Sequence, residues 1–291
     1  MIPVWVETSL TWTESGFKPL AGTVRREEGN NVAEQVIVQV RDGVQTIRFN
    51  RPEKKNALTR EMYDATTHAL IAGDASDEVA VHVFLGSPGV FTAGNDIKDF
   101  AGFDGSARDP DIGASGLIRR LPVVAKPMIA AVDGLAIGIG TTMLLHCDLV
   151  YASPAAIFRT PFLDLGVVPE AGSSLLAPLR LGAQRAFELL CLGEAFDAQR
   201  ACQAGMVNQV VASDQLEAVA LKAAARLAMK PPGALAAARK LMRGDTSTIL
   251  AQIERESALF TERLSSDEAK EAFNAFLEKR APDFSRFRRS S

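Results

Sequence analysis

The stretch Met128-Ile-Ala-Ala-Val-Asp-Gly-Leu-Ala-Ile-Gly-Ile-Gly-Thr-Thr-Met143 decides the fold. It opens with a nearly continuous apolar run, Met128 to Val132, which predicts a buried strand. A turn at Asp133-Gly134 follows, and the run Gly138-Ile-Gly140 then leads into the start of a helix. Because glycine has no Cβ, it lets two stretches of backbone approach more closely than other residues allow. The stretch therefore predicts a strand, a tight turn and a helix start that another segment can approach.

A second segment upstream has the same layout. Val83 to Leu85 predicts a strand, Gly86-Ser-Pro-Gly89 a turn, and Val90-Phe-Thr-Ala-Gly-Asn-Asp-Ile97 a second helix start. If two such backbone ends converge, they supply two N–H donors to an oxyanion. Each glycine motif by itself is more typical of an ordinary turn. No glycine follows Gly140 at the spacing of a dinucleotide fingerprint, so a nucleotide-binding fold is not favoured.

A third segment runs from Phe162 to Ser174 and contains the acid Glu170. The acid lies in an apolar, glycine-punctuated loop before a helix that we predict over residues 175–181. A partly desolvated carboxylate has a raised pKa, which suits a general base. The alternative is that Glu170 only stabilises the helix N-terminus, and the local sequence by itself favours that alternative.

The rest of the chain predicts an α/β architecture. Two β-rich runs, Val36 to Val40 and Val44 to Phe49, flank an Asp-Gly turn, which is a strong hairpin signal. Strands alternating with helices then continue along the chain. The further elements expected are a helix from Thr59 to Ala72, strands at Val79–Leu85 and Asp148–Ala152 with Ala156–Thr160 paired beside the latter, and helices at Leu216–Met229, Pro232–Met242, Ile249–Leu264 and Ser266–Lys279.

Three regions follow from this pattern. Residues 1–31 show no sustained periodicity and form an N-terminal extension. Residues 32–212 form the α/β core, and residues 213–291 form a helical C-terminal region. Residues 97–125 are loop-like in sequence.

Composition narrows the class of protein. The 291 residues are 47% hydrophobic and 23% charged, with a net charge of −3. A nucleic-acid-binding protein usually carries an excess of basic residues, so this charge does not favour a nucleic-acid partner. The most apolar stretch, residues 134–147, carries no charge but has only fourteen residues, which is too short to cross a membrane. Cys147, Cys191 and Cys202 are read as reduced thiols, and the three histidines form no cluster with them. We expect a cytoplasmic protein with no membrane segment and no metal site.

Taken together, the motifs resemble the enoyl-CoA hydratase/isomerase (crotonase) superfamily. The resemblance covers residues 36–284 and keeps the family's order and spacing. It rests on Arg51-Pro-Glu-Lys-Lys-Asn-Ala-Leu58, Phe91-Thr-Ala-Gly-Asn-Asp-Ile97, Ala131-Val-Asp-Gly-Leu-Ala-Ile-Gly-Ile-Gly140, Cys147-Asp-Leu149, Pro169-Glu-Ala-Gly172, Ala201-Cys-Gln-Ala-Gly-Met-Val207 and Phe276-Leu-Glu-Lys-Arg280.

The resemblance implies a crotonase (ClpP-like) β-β-α spiral followed by a C-terminal helical trimerisation region, with homotrimers that often stack as hexamers. It also implies an acyl-CoA thioester as substrate, so that coenzyme A is part of the substrate and no separate cofactor is expected. The thioester oxygen would lie between two backbone N–H groups, which by motif are those of Asn95 and Ile139.

The resemblance implies further contacts to the CoA thioester from three other segments of the chain. Ala93, Gly94 and Asp96 belong to the oxyanion-loop motif. Lys54 and Lys55 resemble the loop that lines the CoA site. Phe276 and Lys279 resemble C-terminal residues that contact the adenosine part of CoA from a neighbouring subunit; the alternatives are surface charge for the lysines and core packing for Phe276.

The acid/base positions separate the branches of the family. Hydratases carry two glutamates, and the matching positions here are Thr142 and Phe162, neither of which can exchange protons as a carboxylate does. Glu170 matches the single glutamate of the Δ3,Δ2-enoyl-CoA isomerase branch. Asp164 is a rival carboxylate nearby, and Asp96 is better read as a helix cap.

The sequence therefore predicts an enoyl-CoA isomerase that moves a double bond with Glu170 as its acid/base. The enzymatic alternatives are enoyl-CoA hydration or another crotonase reaction such as thioester hydrolysis. A non-enzymatic alternative is a family member that binds RNA or serves as a scaffold; the acidic balance and the intact glycine motifs argue against RNA binding.

Overall fold

The computed structural model describes residues 35–96 and 111–287. The predicted extension, residues 1–31, lies outside the described residues. So does the first part of residues 97–125, which by the family resemblance are expected to shape the substrate pocket. Within the described part, residues 113–120 form a helix, so the expectation of a loop-like chain up to residue 125 is wrong there. Arg119 and Arg120 follow Leu117 and Ile118, which are buried against the core and hold this helix in place.

The strands are β1 Val36–Arg41, β2 Val44–Phe49, β3 Val81–Leu85, β4 Val90–Thr92, β5 Met128–Val132, β6 Leu135–Ile137, β7 Leu149–Ala152, β8 Ile157–Arg159, β9 Phe196–Asp197 and β10 Gln209–Val210. The helices are α1 Arg60–Ala75, α2 Gly113–Arg120, α3 Ile139–Thr142, α4 Ser173–Leu181, α5 Ala183–Leu190, α6 Ala198–Gln203, α7 Ser213–Ala228, α8 Pro232–Arg243, α9 Thr246–Leu264 and α10 Asp267–Leu277. Short 3-10 turns lie at Pro52–Lys54, Leu121–Val123, Met143–His146, Leu163–Leu165 and Ser285–Phe287.

The predicted hairpin is confirmed. β1 and β2 are antiparallel, with Val36 opposite Phe49 and Arg41 opposite Val44. Asp42 and Gly43 both have positive φ, at 50° and 80°, which is what a two-residue hairpin turn of the Asp-Gly type requires. The hairpin forms one edge of a six-stranded sheet in the order β1-β2-β3-β5-β7-β10, whose remaining pairs are parallel.

A second sheet has the order β4-β6-β8-β9. Each successive turn of the chain adds one strand to the first sheet and the next strand to the second, as β3 and β4, β5 and β6, then β7 and β8 do. The expectation that Ala156–Thr160 pairs beside the strand at Asp148–Ala152 is wrong. β8 instead pairs with β6, because Ser153 and Ala156 turn the chain into the second sheet.

The helical C-terminal part begins at α7, as predicted, and the bounds of α7 to α10 differ from expectation by at most a few residues. α7 packs on the outer face of the first sheet, where Leu216, Ala220 and Ala224 contact Val83 and Ile129. The last two helices pack against the third motif and the helix after it: α9 contacts α4, and α10 contacts the turn at Leu163–Leu165. The fold is thus the crotonase α/β spiral, and its last helices reach the site.

Candidate active site

The three motifs that the sequence singles out meet at one cavity of about 560 Å³. Its lining includes Gly94 and Asn95 from the first motif, Gly138 from the second and Glu170 from the third. The remaining described lining residues are Ala93, Ile137, Arg159, Pro161, Phe162, Asp164, Leu165, Val167, Phe260, Ala272, Phe273, Phe276, Arg280 and Pro282. Segments far apart in sequence therefore form a single site.

The first wall is the turn after β4. Leu58 bridges Asn95 as a parallel partner, because the Leu58 N–H donates to the Gly94 carbonyl at 2.8 Å and the Asp96 N–H donates to the Leu58 carbonyl at 3.0 Å. In a trans peptide the N–H points opposite to the C=O of the same unit. Since the Gly94 carbonyl points to Leu58, the Asn95 N–H points away from Leu58.

The second wall is the turn into α3. Gly138 precedes the helix with a φ of 56°, and its carbonyl accepts from the N–H groups of Thr141 and Thr142 at 2.9 and 3.0 Å. The Ile139 N–H belongs to the same peptide unit as that carbonyl, so it points out of the helix start. The Ile139 side chain itself is fully buried.

The two turns interlock because glycine, which has no side chain, lies at their points of contact. A Cβ built on Gly94, whose φ is 86°, would lie 2.8 Å from the Ile137 carbonyl oxygen. A Cβ on Gly140 would lie 2.5 Å from Cγ2 of Thr92. Glycine is therefore required on both sides of the contact, which explains why both motifs are glycine-rich.

The third wall carries Glu170, which is 8% exposed and lies in the turn before α4. The next two residues, Ala171 and Gly172, both have positive φ, at 60° and 69°. The Ala171 carbonyl accepts a hydrogen bond from Nε2 of His146 at 2.7 Å. A buried carboxyl group thus lies at the start of a tight turn and lines the cavity.

The His146 side chain, which donates to this turn, is itself buried away from solvent. Burial is the main cause that lowers its pKa from 6.5 to about 4, against the opposing effect of its bond to Ala171. The ring is therefore neutral near pH 7, and because a carbonyl only accepts hydrogen bonds, Nε2 carries the proton. Burial likewise raises the pKa of the neighbouring Cys147 thiol to about 12, so that thiol is not a nucleophile near neutral pH.

The two hydratase positions hold no carboxylate. Phe162 lines the cavity, and Thr142 is buried with its hydroxyl directed at the Gly138 carbonyl, 3.4 Å away. Among the described lining residues, the carboxylates are Asp164 and Glu170. Asp164 is about half exposed and forms an ion pair with Arg159 at 2.9 Å.

Some residues that sequence reasoning assigned to the substrate lie beside the cavity lining. Lys54 and Lys55 are exposed on the loop before α1, and Lys55 contributes its carbonyl to the Ala93 N–H at 2.9 Å. Asp96 pairs with Arg51 at 2.8 Å, and the helix that it was expected to cap would fall outside the described residues. Lys279 is exposed just after α10.

Phe276 lines the cavity of its own chain together with Phe260 and Phe273. The last two were missed from the sequence, as were Arg159 and Arg280, because the residues around them do not indicate that their side chains face a cavity. Tyr63 was also missed; its hydroxyl donates to Oδ1 of Asn95.

Two kinds of feature are absent from residues 35–96 and 111–287, the part of the chain that the structure describes. No group of three or more His, Cys, Asp or Glu side chains there could hold a metal ion. Across the same ranges, no helix is long and apolar enough to cross a bilayer.

The spiral of two sheets, with a buried carboxyl group facing two glycine turns across one cavity, is the arrangement of a crotonase-type enzyme. Comparison with known proteins agrees. Residues 39–287 match a family profile described as Enoyl-CoA hydratase/isomerase. A crystal structure of an enoyl-CoA hydratase/isomerase from Pseudoalteromonas atlantica T6c superposes with a TM-score of 0.80 at 40% identity, covering 86% of this chain and 99% of that one.

Relatives of both reaction types are similar to the chain. The 2,3-dehydroadipyl-CoA hydratase of Escherichia coli K12 is 35% identical over 251 residues, covering 86% of this chain and 98% of the relative. Enoyl-CoA delta isomerase 2 of Homo sapiens is 33% identical over 277 residues, covering 92% and 68%. The chain belongs to the enoyl-CoA hydratase/isomerase (crotonase) superfamily, and it is an acyl-CoA enzyme of that family.

Proposed function

We propose that the protein is a Δ3,Δ2-enoyl-CoA isomerase that shifts a double bond with Glu170 as its single acid/base. The observation that carries the proposal is the cavity lining. It contains Glu170, while Phe162 fills the position where a hydratase has its second glutamate. One carboxylate is enough for a proton shift, whereas adding water is favoured by two groups that hold and activate it.

The thioester carbonyl oxygen would bind between the N–H groups of Asn95 and Ile139. Both amides are directed away from their own local partners, Leu58 and the interior of α3, by the peptide geometry of the two interlocked turns. Donors fixed before the reaction stabilise the negative charge that develops on this oxygen.

The proton shift then needs only Glu170. Its carboxylate removes a proton from C2 of the 3-enoyl thioester, and the electron pair delocalises over the thioester oxygen and the C3–C4 double bond. The resulting carboxylic acid returns the proton to C4, which leaves the conjugated 2-enoyl thioester. The enzyme ends in its starting protonation state, and no water is consumed.

Hydration of a 2-enoyl thioester is the second candidate, since Asp164 also lines the cavity and a hydratase is among the similar relatives. The ion pair of Asp164 with Arg159 at 2.9 Å disfavours it, because one carboxylate oxygen of Asp164 is already engaged and is not free to hold a water molecule. The protein is further proposed to work as a trimer or hexamer, with Lys54, Lys55 and Lys279 near the CoA moiety.

One paired assay tests the proposal. Purified protein receives a 3-enoyl-CoA and, separately, a 2-enoyl-CoA, and the conjugated thioester is followed by its ultraviolet absorption. We expect isomerisation of the first and little hydration of the second. Glu170→Gln should lower the isomerisation kcat by about 10²- to 10⁴-fold. Asp164→Asn is the matched control and should change it little.

Two outcomes would overturn the assignment. Full isomerisation by Glu170→Gln would remove Glu170 from the mechanism. Hydration that is fast in the wild type and lost in Asp164→Asn would favour the hydratase instead.

A further inference from the structure

The carboxylate of Glu256 is buried against the turn that carries Glu170. Glu256 lies on α9 and is 4% exposed. Its Oε2 accepts from the Gly172 N–H at 2.6 Å, and its Oε1 accepts from the Ser174 N–H at 2.9 Å and from the Ser174 hydroxyl at 2.5 Å. Three donors from two residues of one turn therefore converge on a single side chain more than 80 residues away in sequence.

These bonds meet a need that the turn cannot meet itself. α4 begins after Gly172, which has no side chain to accept from the first N–H groups of the helix. Glu256 supplies that acceptor from another helix. Gln252, one turn earlier on α9, donates to the Ser174 hydroxyl at 2.9 Å, so the hydroxyl is held from both sides.

The turn also has a conformation that must be held. Ala171 and Gly172 are both left-handed, and for alanine this region is unfavourable. The Ser173 N–H donates to the Glu170 carbonyl at 3.1 Å, so Glu170 is the first residue of the same turn. A change at Gly172 is therefore transmitted to the backbone that aims the Glu170 side chain.

α9 contributes to the site in a second way. Phe260, four residues after Glu256, lines the cavity that Glu170 faces. Residues spaced by four lie on one face of a helix. Ile249 and Ile253 of the same helix pack against Gly172, where a Cβ would meet them at 3.1 and 3.5 Å. The same helix thus contributes one residue to the cavity lining and holds the turn.

We infer that Glu256 is a positioning residue that fixes the orientation of Glu170 through the backbone of Gly172 and Ser174. The inference rests on the proposed role of Glu170. This role requires that both carboxylate oxygens of Glu256 accept hydrogen bonds. A glutamine offers one acceptor and one NH₂ group, so one of the two backbone N–H groups would face a donor and lose its partner. Burial of the Glu256 carboxylate raises its pKa, and the three donors act in the opposite direction.

The test compares Glu256→Gln with Glu254→Gln in the full chain. Glu254 lies on the same helix, is about half exposed and pairs with Arg119, so it offers the same substitution without the turn. Glu256→Gln should lower kcat for the 3-enoyl-CoA by up to about 100-fold, as small misplacements of a catalytic group do, and leave KM within about threefold. Glu254→Gln should leave both unchanged.

Two further measurements separate positioning from general damage. In a Glu170→Gln background, adding Glu256→Gln should cause no further loss of kcat, because its effect passes through Glu170. Amide hydrogen exchange of the peptide covering residues 169–175 should quicken in Glu256→Gln and not in Glu254→Gln. If Glu256→Gln does not fold, Ser174→Ala replaces it and should show a smaller loss of the same kind, since only the hydroxyl bond is removed.

Wild-type kcat in Glu256→Gln, an equal loss in the Glu170→Gln background, or unchanged exchange at residues 169–175 would each overturn the inference. A wild-type protein that does not isomerise the 3-enoyl-CoA would instead sink the proposed function. In that case the exchange measurement still decides whether Glu256 holds the turn.

Discussion

Replacing Gly94 with alanine should pull apart the two turns that form the proposed oxyanion site. The new Cβ would lie 2.8 Å from the Ile137 carbonyl oxygen, whereas ordinary contact begins at 3.4 Å, so the turns must separate by about 0.6 Å. The φ of 86° adds a backbone penalty of about 1–2 kcal/mol for any residue with a Cβ.

The displacement decides the expected magnitude. Removing one oxyanion donor entirely costs about 10²- to 10³-fold in kcat. A shift of about 0.6 Å stretches the bond from the Asn95 N–H without abolishing it. We therefore expect kcat for the 3-enoyl-CoA to fall by roughly 10- to 100-fold.

Gly89→Ala is the matched control. Gly89 also has a positive φ, 76°, but a Cβ there would meet no atom within 4 Å. Both variants therefore carry the backbone penalty, and only Gly94→Ala carries the steric one. Steady-state kinetics should show the loss of kcat in Gly94→Ala alone, and thermal unfolding should show a lower Tm in both. Equal kcat values in the two variants would refute the reasoning.

Two other predictions concern side chains near the same turns. Asn95→Ala should keep kcat within about fivefold of wild type, because the residue is proposed to act through its backbone; a loss as large as that of Glu170→Gln, measured in the same assay, would show that the side chain takes part. Since burial lowers the pKa of His146 from 6.5 to about 4, the unfolded chain binds that proton more readily, and folding stability should fall by about 3 kcal/mol as the pH drops from 6.5 to 4. His146→Gln keeps an N–H for Ala171 but cannot titrate, so denaturant titrations across that range should show a flatter pH dependence; identical slopes would contradict the role of His146.

Local features of the fold could be predicted from the sequence because their causes are local. The Asp42-Gly43 turn needs two positive φ angles, and the pair Asp-Gly is typical of such a turn. Thr59 was predicted to begin a helix, and its hydroxyl accepts from the Met62 N–H at the start of α1. The choice of partner strand is different, because no residue within Ala156–Thr160 indicates which strand this segment pairs with.

The site divides in the same way. Gly94, Gly138 and Glu170 lie in compact motifs, and these motifs do meet at one cavity. Phe260 and Glu256 lie in an amphipathic helix, where an aromatic ring or an acid is equally consistent with ordinary packing or a solvated face. The hydrogen bonds of Glu256 to Gly172 and Ser174, and the place of Phe260 in the cavity lining, depend on how α9 docks, which the pattern of α9 alone does not contain.

The span of the cavity lining, from Ala93 to Pro282, has a consequence for synthesis on the ribosome. The strands of both sheets have all been synthesised once β10 has emerged, before Phe273 and Pro282 leave the exit tunnel. Until then the part of the lining that α9 and α10 contribute is missing. The order of synthesis therefore separates the strands of the spiral from the helices that complete the cavity lining, and a chain released before Phe260 would lack Phe260, Phe273 and Phe276 from that lining.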